Sequence, residues 1–154
     1  MIIEIPKLDP AGEQFTGVEP AEMLGLGPKD PIQAEGPVTY DIFAQLLGHE
    51  LVVQGSLIAE LAAICGRCAE IFSTKLMISD FLRALEISAG QEAINLTDDI
   101  REEVLLHLPH YPVCRPDCKG LCPQCGHNLN DGSCGCAVSQ SDARWSGLDS
   151  LKLK

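Results

Sequence analysis

VTYDIFAQLLGHELVVQGSLIAELAAICGRCAEIFSTKLMI, residues 38–78, is the stretch whose reading decides the fold. It holds three runs rich in Val, Ile, Leu, Thr and Phe, at 38–47, 50–64 and 70–78, a composition that favours a pleated, half-buried surface. Gly48-His49 suits a tight turn between the first two runs, and Gly66-Arg67, inside Cys65-Gly66-Arg67-Cys68, suits one between the second and third. The expectation is an antiparallel meander. A helix competes for 57–64, where Leu, Ala and Glu dominate and periodicity arbitrates poorly over so short a run.

Downstream, residues 95–108 predict an amphipathic helix. Thr97 is placed to cap it, Asp98 and Asp99 suit its positive end, Pro109 stops it, and Ile100, Val104, Leu105 and Leu108 share a face that can pack on the sheet. Upstream, residues 1–37 hold 6 of the 10 prolines and 5 of the 14 glycines. That spacing predicts a lead-in of short pieces, with an edge strand near Ile2–Ile5 and one helical turn over Pro20–Leu24. The chain thus divides into an irregular N-terminal lead-in (1–37), a core (38–109) and a cysteine-rich tail (110–154). The fold class is α+β: a mostly antiparallel β meander, one packed amphipathic helix and a C-terminal zinc-ribbon-like module.

The tail carries the chemistry. Cys122-Pro123-Gln124-Cys125-Gly126 has the form of a zinc knuckle, a tight turn that aims two thiolates at one metal. Cys134-Gly135-Cys136 follows after Asn128, Asn130, Asp131 and Gly132, turn residues able to bring a second pair round. Cys122, Cys125, Cys134 and Cys136 therefore form a first candidate site for a structural zinc. The other four of the 8 cysteines, Cys65 and Cys68 at the meander turn and Cys114 and Cys118 after the helix, form a second. Exchange of pairs between the sites, such as Cys65 and Cys68 with Cys122 and Cys125, is the alternative. One or two structural zinc ions are expected. Zinc is preferred to disulfides because Met1–Pro6 shows no basic start, apolar stretch of signal length or small-residue cleavage site, and the expected compartment is the cytoplasm, where clustered thiols bind metal.

Enzymes find little support. A zinc deaminase needs His-x-Glu with Pro-Cys-x-x-Cys, which is absent; no phosphate-cradling glycine loop or nucleophile elbow occurs; and Cys65 and Cys68 lack the βαβ setting of a redox motif. His49, His107 and His110 read as surface residues, while His127 beside the knuckle is a substitute ligand only if a thiol is unused. No catalytic residue, small-molecule substrate or membrane span is expected. The net charge of −11, with 22 acidic against 11 basic residues, opposes nonspecific binding to nucleic acid. Any RNA contact must be local, and the tail, with 4 acidic and 5 basic residues at 110–154, is where it would fall.

The order of these motifs resembles the YceD family, bacterial and plastid proteins linked to accumulation of large-subunit ribosomal RNA. The resemblance rests on Cys65-Gly66-Arg67-Cys68, the acidic helix running into Leu108-Pro109-His110-Tyr111-Pro112, then Cys114, Cys118-Lys119-Gly120-Leu121-Cys122-Pro123-Gln124-Cys125-Gly126 and Asn128-Leu129-Asn130. The closing Asp142-Ala143-Arg144-Trp145 with Leu148 and Leu151 is also similar, although Ala143 stands where the family commonly has proline. The resemblance implies a non-enzymatic factor in large ribosomal subunit biogenesis that supports 23S ribosomal RNA processing or accumulation. Ribosomal RNA or its precursor is the implied partner. Arg115, Lys119, Arg144 and Trp145 are the candidate RNA-facing patch, with cations for phosphate and an indole for base stacking. The alternative is a zinc-stabilised module that holds a basic ribosomal protein or assembly factor by charge complementarity.

Overall fold

The computed structural model describes residues 1–136. Six strands and one helix follow in order: β1 (Ile2–Glu4), β2 (Glu13–Glu19), β3 (Ile32–Leu47), β4 (Glu50–Ile64), β5 (Ile71–Glu86), β6 (Ala93–Asn95) and α1 (Thr97–Leu106). The chain is α+β, mostly antiparallel sheet. One sheet has the order β2-β3-β4-β5, and a two-stranded ribbon pairs β1 with β6.

The meander follows the expected hairpins. Leu47 pairs with Glu50 around Gly48-His49, and Ile64 pairs with Ile71 around the Cys65–Cys68 turn. The segment 57–64 is strand, because alternation wins there: Leu57, Ala59, Leu61 and Ala63 are buried while Ile58, Glu60 and Ile64 are exposed. Fully burying a Leu or Ile side chain contributes roughly 1.5–3 kcal/mol, so a whole strand face outweighs the helix preference of Ala, Leu and Glu.

Two strands run beyond their expected bounds, and a register shift explains each. β3 begins at Ile32, six residues early, and passes Gly36-Pro37 through an irregularity between Ala34 and Val38. Proline has no N–H to give the ladder and is tolerated at such a break. β5 continues past Ile78 to Glu86 because Ser79 and Asp80 bulge out opposite Ser56, which lets both Ile78 and Phe81 face the core. The lead-in also contains more than short pieces: β2 is a seven-residue strand paired with β3 from Glu13↔Ala44 to Glu19↔Val38. The edge strand at Ile2–Glu4 and a 3-10 turn at Ala21–Leu24 lie where expected.

Helix α1 is shorter than the expected 95–108, because residues 93–95 pair with β1 instead. Thr97 is its first residue and not its cap; its hydroxyl meets the Met1 amino group at 2.6 Å, and its own N–H donates to Asn95 Oδ1 at 3.0 Å. Ile100 and Val104 are buried in the core with Ile3, Leu24, Ile42, Leu51 and Phe81, and Leu108 packs against its margin. Arg83 of β5 reaches over to Glu103 of the helix at 2.7 Å and so pins α1 beside the sheet.

Candidate metal centres

Each centre starts from a turn. In Cys65-Gly66-Arg67-Cys68, the Ala69 N–H donates to Cys65 O at 2.9 Å and the Cys65 N–H to Glu70 O at 2.8 Å. In Cys122-Pro123-Gln124-Cys125, the Gly126 N–H donates to Cys122 O at 2.9 Å and the Cys122 N–H to His127 O at 2.8 Å. The two turns share one hydrogen-bond pattern, and in both the residue after the second cysteine has positive φ, 59° at Ala69 and 72° at Gly126.

Each turn is then met by a second pair. The Sγ atoms of Cys65, Cys68, Cys114 and Cys118 lie within 4.8 Å of one another, and so do those of Cys122, Cys125, Cys134 and Cys136. Within the structure the Cys65–Cys68 pair thus lies with Cys114 and Cys118, and the Cys122–Cys125 pair with Cys134 and Cys136. Cys65 and Cys118 sulfurs are 3.9 Å apart, and Cys68 and Cys114 sulfurs 3.8 Å. Four sulfurs held tetrahedrally at about 2.3 Å from one ion are spaced about 3.8 Å apart, so the donor set fits a tetrahedral thiophilic metal. The first group lies under the sheet end, with Cys65, Cys68 and Cys118 buried; in the second only Cys122 is buried and Cys125 is exposed.

Crowding of the thiols is visible in their acidities. Burial alone would raise the Cys65 thiol, but N–H groups of Cys114, Cys68 and Arg67 aimed at its sulfur bring it down to about 6. Burial and the neighbouring sulfurs of Cys118, Cys65 and Cys68 push Cys114 up to about 12. The second group repeats the split: N–H groups of Cys125 and Gln124 lower Cys122 to about 6, while the Cys125 sulfur and burial raise Cys136 to about 12. Thiolates this close repel, so without a cation one of them keeps its proton. A divalent ion removes the conflict and lets all four ionise.

The tail is also clamped to the meander turn by groups that are not sulfurs. Arg67 Nη1 donates to Pro116 O at 3.0 Å and Cys118 O at 3.1 Å, and its carbonyl accepts the Leu121 N–H at 3.0 Å. Gly120 passes over this carbonyl with φ 76°, and a Cβ there would sit 3.1 Å from Arg67 O. The Gly66 N–H donates to Pro112 O at 2.8 Å. Asn130, from the loop of the second group, reaches into the first: Oδ1 accepts the Lys119 N–H at 2.9 Å and Nδ2 donates to Cys118 Sγ at 3.4 Å. That bond is the main reason the Cys118 thiol is lowered. In the sequence Arg67 and Asn130 stand out as turn and motif residues and not as clamps; the signal for that role is their place inside Cys-Gly-Arg-Cys and Asn-Leu-Asn beside the thiols.

Of the candidate RNA-facing residues, Arg115 and Lys119 are exposed on the loop around Cys118, and Arg115 lies 3.5 Å from Asp117. Arg144 and Trp145 lie outside the described residues, as do Leu148 and Leu151. His107 caps the helix end by turning Nδ1 to Glu103 O at 2.9 Å. No helix among the described residues is long and apolar enough to cross a membrane.

Comparison with known proteins places the chain in a family. The family described as large ribosomal RNA subunit accumulation protein YceD matches residues 53–152. An uncharacterized protein of Mycobacterium tuberculosis is 33% identical over 123 residues, which cover 70% of this chain and 58% of that one. The chain thus spans little more than half the length of this curated relative. A chloroplastic large ribosomal RNA subunit accumulation protein YCED homolog 1 of Zea mays is 42% identical over 53 residues, 34% of this chain and 18% of that one. The Arabidopsis thaliana homolog 1 is 34% identical over 59 residues, 38% of this chain and 18% of that one. No solved structure matches. The family match covers well over half of the chain, and the chain belongs to the YceD family of large ribosomal RNA subunit accumulation proteins.

Proposed function

We propose that this chain is a non-enzymatic, cytoplasmic factor that supports processing or accumulation of 23S ribosomal RNA, and that two structural zinc ions hold its C-terminal part in shape. The observation that carries the metal is the pair of four-thiol groups, each with its sulfurs within 4.8 Å. Zinc suits them because four thiolates close its tetrahedral shell and leave no open position for catalysis. The ligands are Cys65, Cys68, Cys114 and Cys118 for one ion and Cys122, Cys125, Cys134 and Cys136 for the other. Support for the ribosomal role is the family itself. In this reading the core of residues 38–109 carries the tail of residues 110–154, and Arg115, Lys119, Arg144 and Trp145 meet RNA.

Three experiments test it. Native mass spectrometry of protein purified in reducing buffer should count two zinc ions per chain; none would overturn the metal reading. In cells lacking their own copy, the wild-type chain should restore mature 23S RNA, and Arg115→Glu, Lys119→Glu and Arg144→Glu together should lower affinity for precursor RNA at least tenfold. Unchanged affinity would overturn the RNA patch. A second reading, favoured by the net charge of −11, is that the acidic surface holds a basic ribosomal protein or assembly factor.

A further inference from the structure

The face of the β2–β5 sheet turned away from α1 carries side chains that a solvated face does not call for. In antiparallel sheets the water-facing residues are usually polar. Here Val18, Thr39, Ile58 and Met77 stand in register in one line across all four strands. Val18 is 61% exposed, Ile58 37% and Met77 75%, so nothing among the described residues covers them. The next row holds Thr16, Asp41 and Ser56, with Asp80 carried on the bulge of β5, and the row after it Gln14, Phe43, Gln54 and Leu82. Between these rows the surface dips into an open depression of about 520 Å³ lined by Gln14, Phe43, Gln54, Asp80 and Leu82.

Charge selects what fits. The three rows contain two carboxylates, Asp41 and Asp80, and no Lys or Arg. Lys75, in the row beside Met77, is already paired with Glu60 at 2.8 Å. A phosphate backbone would find no cation to exchange for its counterions, which argues against nucleic acid on this face. A protein segment that presents apolar and cationic side chains together on one face meets both needs: its apolar side chains cover the Val18–Met77 line and fill the depression, and its cations face Asp41 and Asp80.

We propose that this open face is a docking surface for a cationic protein segment with interleaved apolar residues. The inference rests on the protein-partner reading above and gives it a surface distinct from the cysteine-rich tail. The carboxylates supply orientation and encounter rate, and the apolar line supplies the contact area.

The test uses the full, metal-loaded chain and a fluorescein-labelled peptide of four Lys-Ser-Val-Ser repeats, whose lysines and valines share one face when extended, read by anisotropy at moderate salt. Asp41→Lys with Asp80→Lys, and separately Ile58→Ser with Met77→Ser, should each weaken binding at least tenfold. Asp41→Asn with Asp80→Asn should weaken it less, in the same direction, which covers the case in which the lysine pair disturbs the fold. The control pair Glu4→Lys with Glu92→Lys, with the same change of charge on the β1–β6 ribbon, should change binding less than threefold. Equal loss in the control pair would reduce the effect to net charge and overturn the proposal, as would open-face variants that bind like wild type. A photo-crosslinker in place of Met77 should react with the peptide; reaction instead with residues 137–154, a second copy or a 23S RNA fragment would also overturn it. If cells without the chain keep normal 23S RNA, the proposed ribosomal role fails while the binding result stands by itself.

Discussion

Ala69 and Gly126 occupy the same position in two turns of one pattern, each following the second cysteine of its pair and each in the left-handed region, at φ 59° and 72°. Glycine takes this conformation without cost and alanine does not. Ala69→Gly should therefore stabilise the protein by about 0.5–1 kcal/mol, the relieved strain being partly offset by the freer unfolded chain. Gly126→Ala should destabilise it by about 1 kcal/mol. Thermal unfolding of the metal-loaded variants measures both; opposite signs are the result required, and two losses would mean that the Ala69 methyl makes a contact worth more than the strain.

Arg67 gives two hydrogen bonds from one nitrogen to the carbonyls of Pro116 and Cys118, and Arg67→Ala removes both. The side chain is exposed, so water replaces part of what is lost, and the expected destabilisation is about 1–2 kcal/mol. Chemical denaturation should measure the loss, and amide exchange should place it at the junction of tail and sheet, rising at 114–121 and staying unchanged in β2 and β3.

Asn130 lies in the loop of one group of cysteines and donates to a sulfur of the other. Removing such a neighbour typically lowers metal affinity 10–100-fold. Asn130→Ala should do so at the site of Cys118, and should leave the site of Cys122 and Cys125 within about threefold. Competition with a chromogenic chelator, with each site isolated by replacing Cys65 and Cys68 or Cys122 and Cys125 by serine, distinguishes the two.

Removal of metal should be stepwise. Cys125 is exposed and Cys134 and Cys136 half-buried, whereas Cys65, Cys68 and Cys118 are buried. A chelator should take one equivalent of zinc quickly from the outer group and a second at least tenfold more slowly from the inner one. Far-ultraviolet circular dichroism should change little in either step, because the long strands and their core contain none of these thiols. A single phase with both equivalents would contradict the difference in burial.

The meander was legible because its signals are local: Gly48-His49 and Gly66-Arg67 interrupt apolar runs at the places where the chain turns. Its bounds were not, because the extension of β5 depends on a bulge at Ser79-Asp80 that moves Phe81 back onto the core face. A period of two read along the sequence ends where the bulge begins. β2 escaped notice for a different reason. Glu13–Glu19 holds only Phe15 and Val18 as large apolar residues, and it becomes a strand because β3 offers it a ladder. Thr97 has the residue type of a helix cap and is instead held by Met1, a contact between residues 96 positions apart that no local rule contains. In the tail the cysteines were recognisable by spacing, while the roles of Arg67 and Asn130 arise only when two distant turns are brought face to face.

The two cysteine groups also differ in how much chain each must close. Cys65 and Cys118 are 53 positions apart, with β5, β6 and α1 between them, whereas Cys122 and Cys136 lie on one short loop. Loop-closure entropy alone favours the short loop by roughly 1 kcal/mol, and the inner group in addition must wait for the sheet to present its turn. The outer group can therefore gather its sulfurs while the rest of the chain is still unfolded, and the inner one gathers last, as the final lock on a finished sheet. Assembly then runs in the reverse of the order in which burial protects the centres: the group that forms first is the one most readily undone.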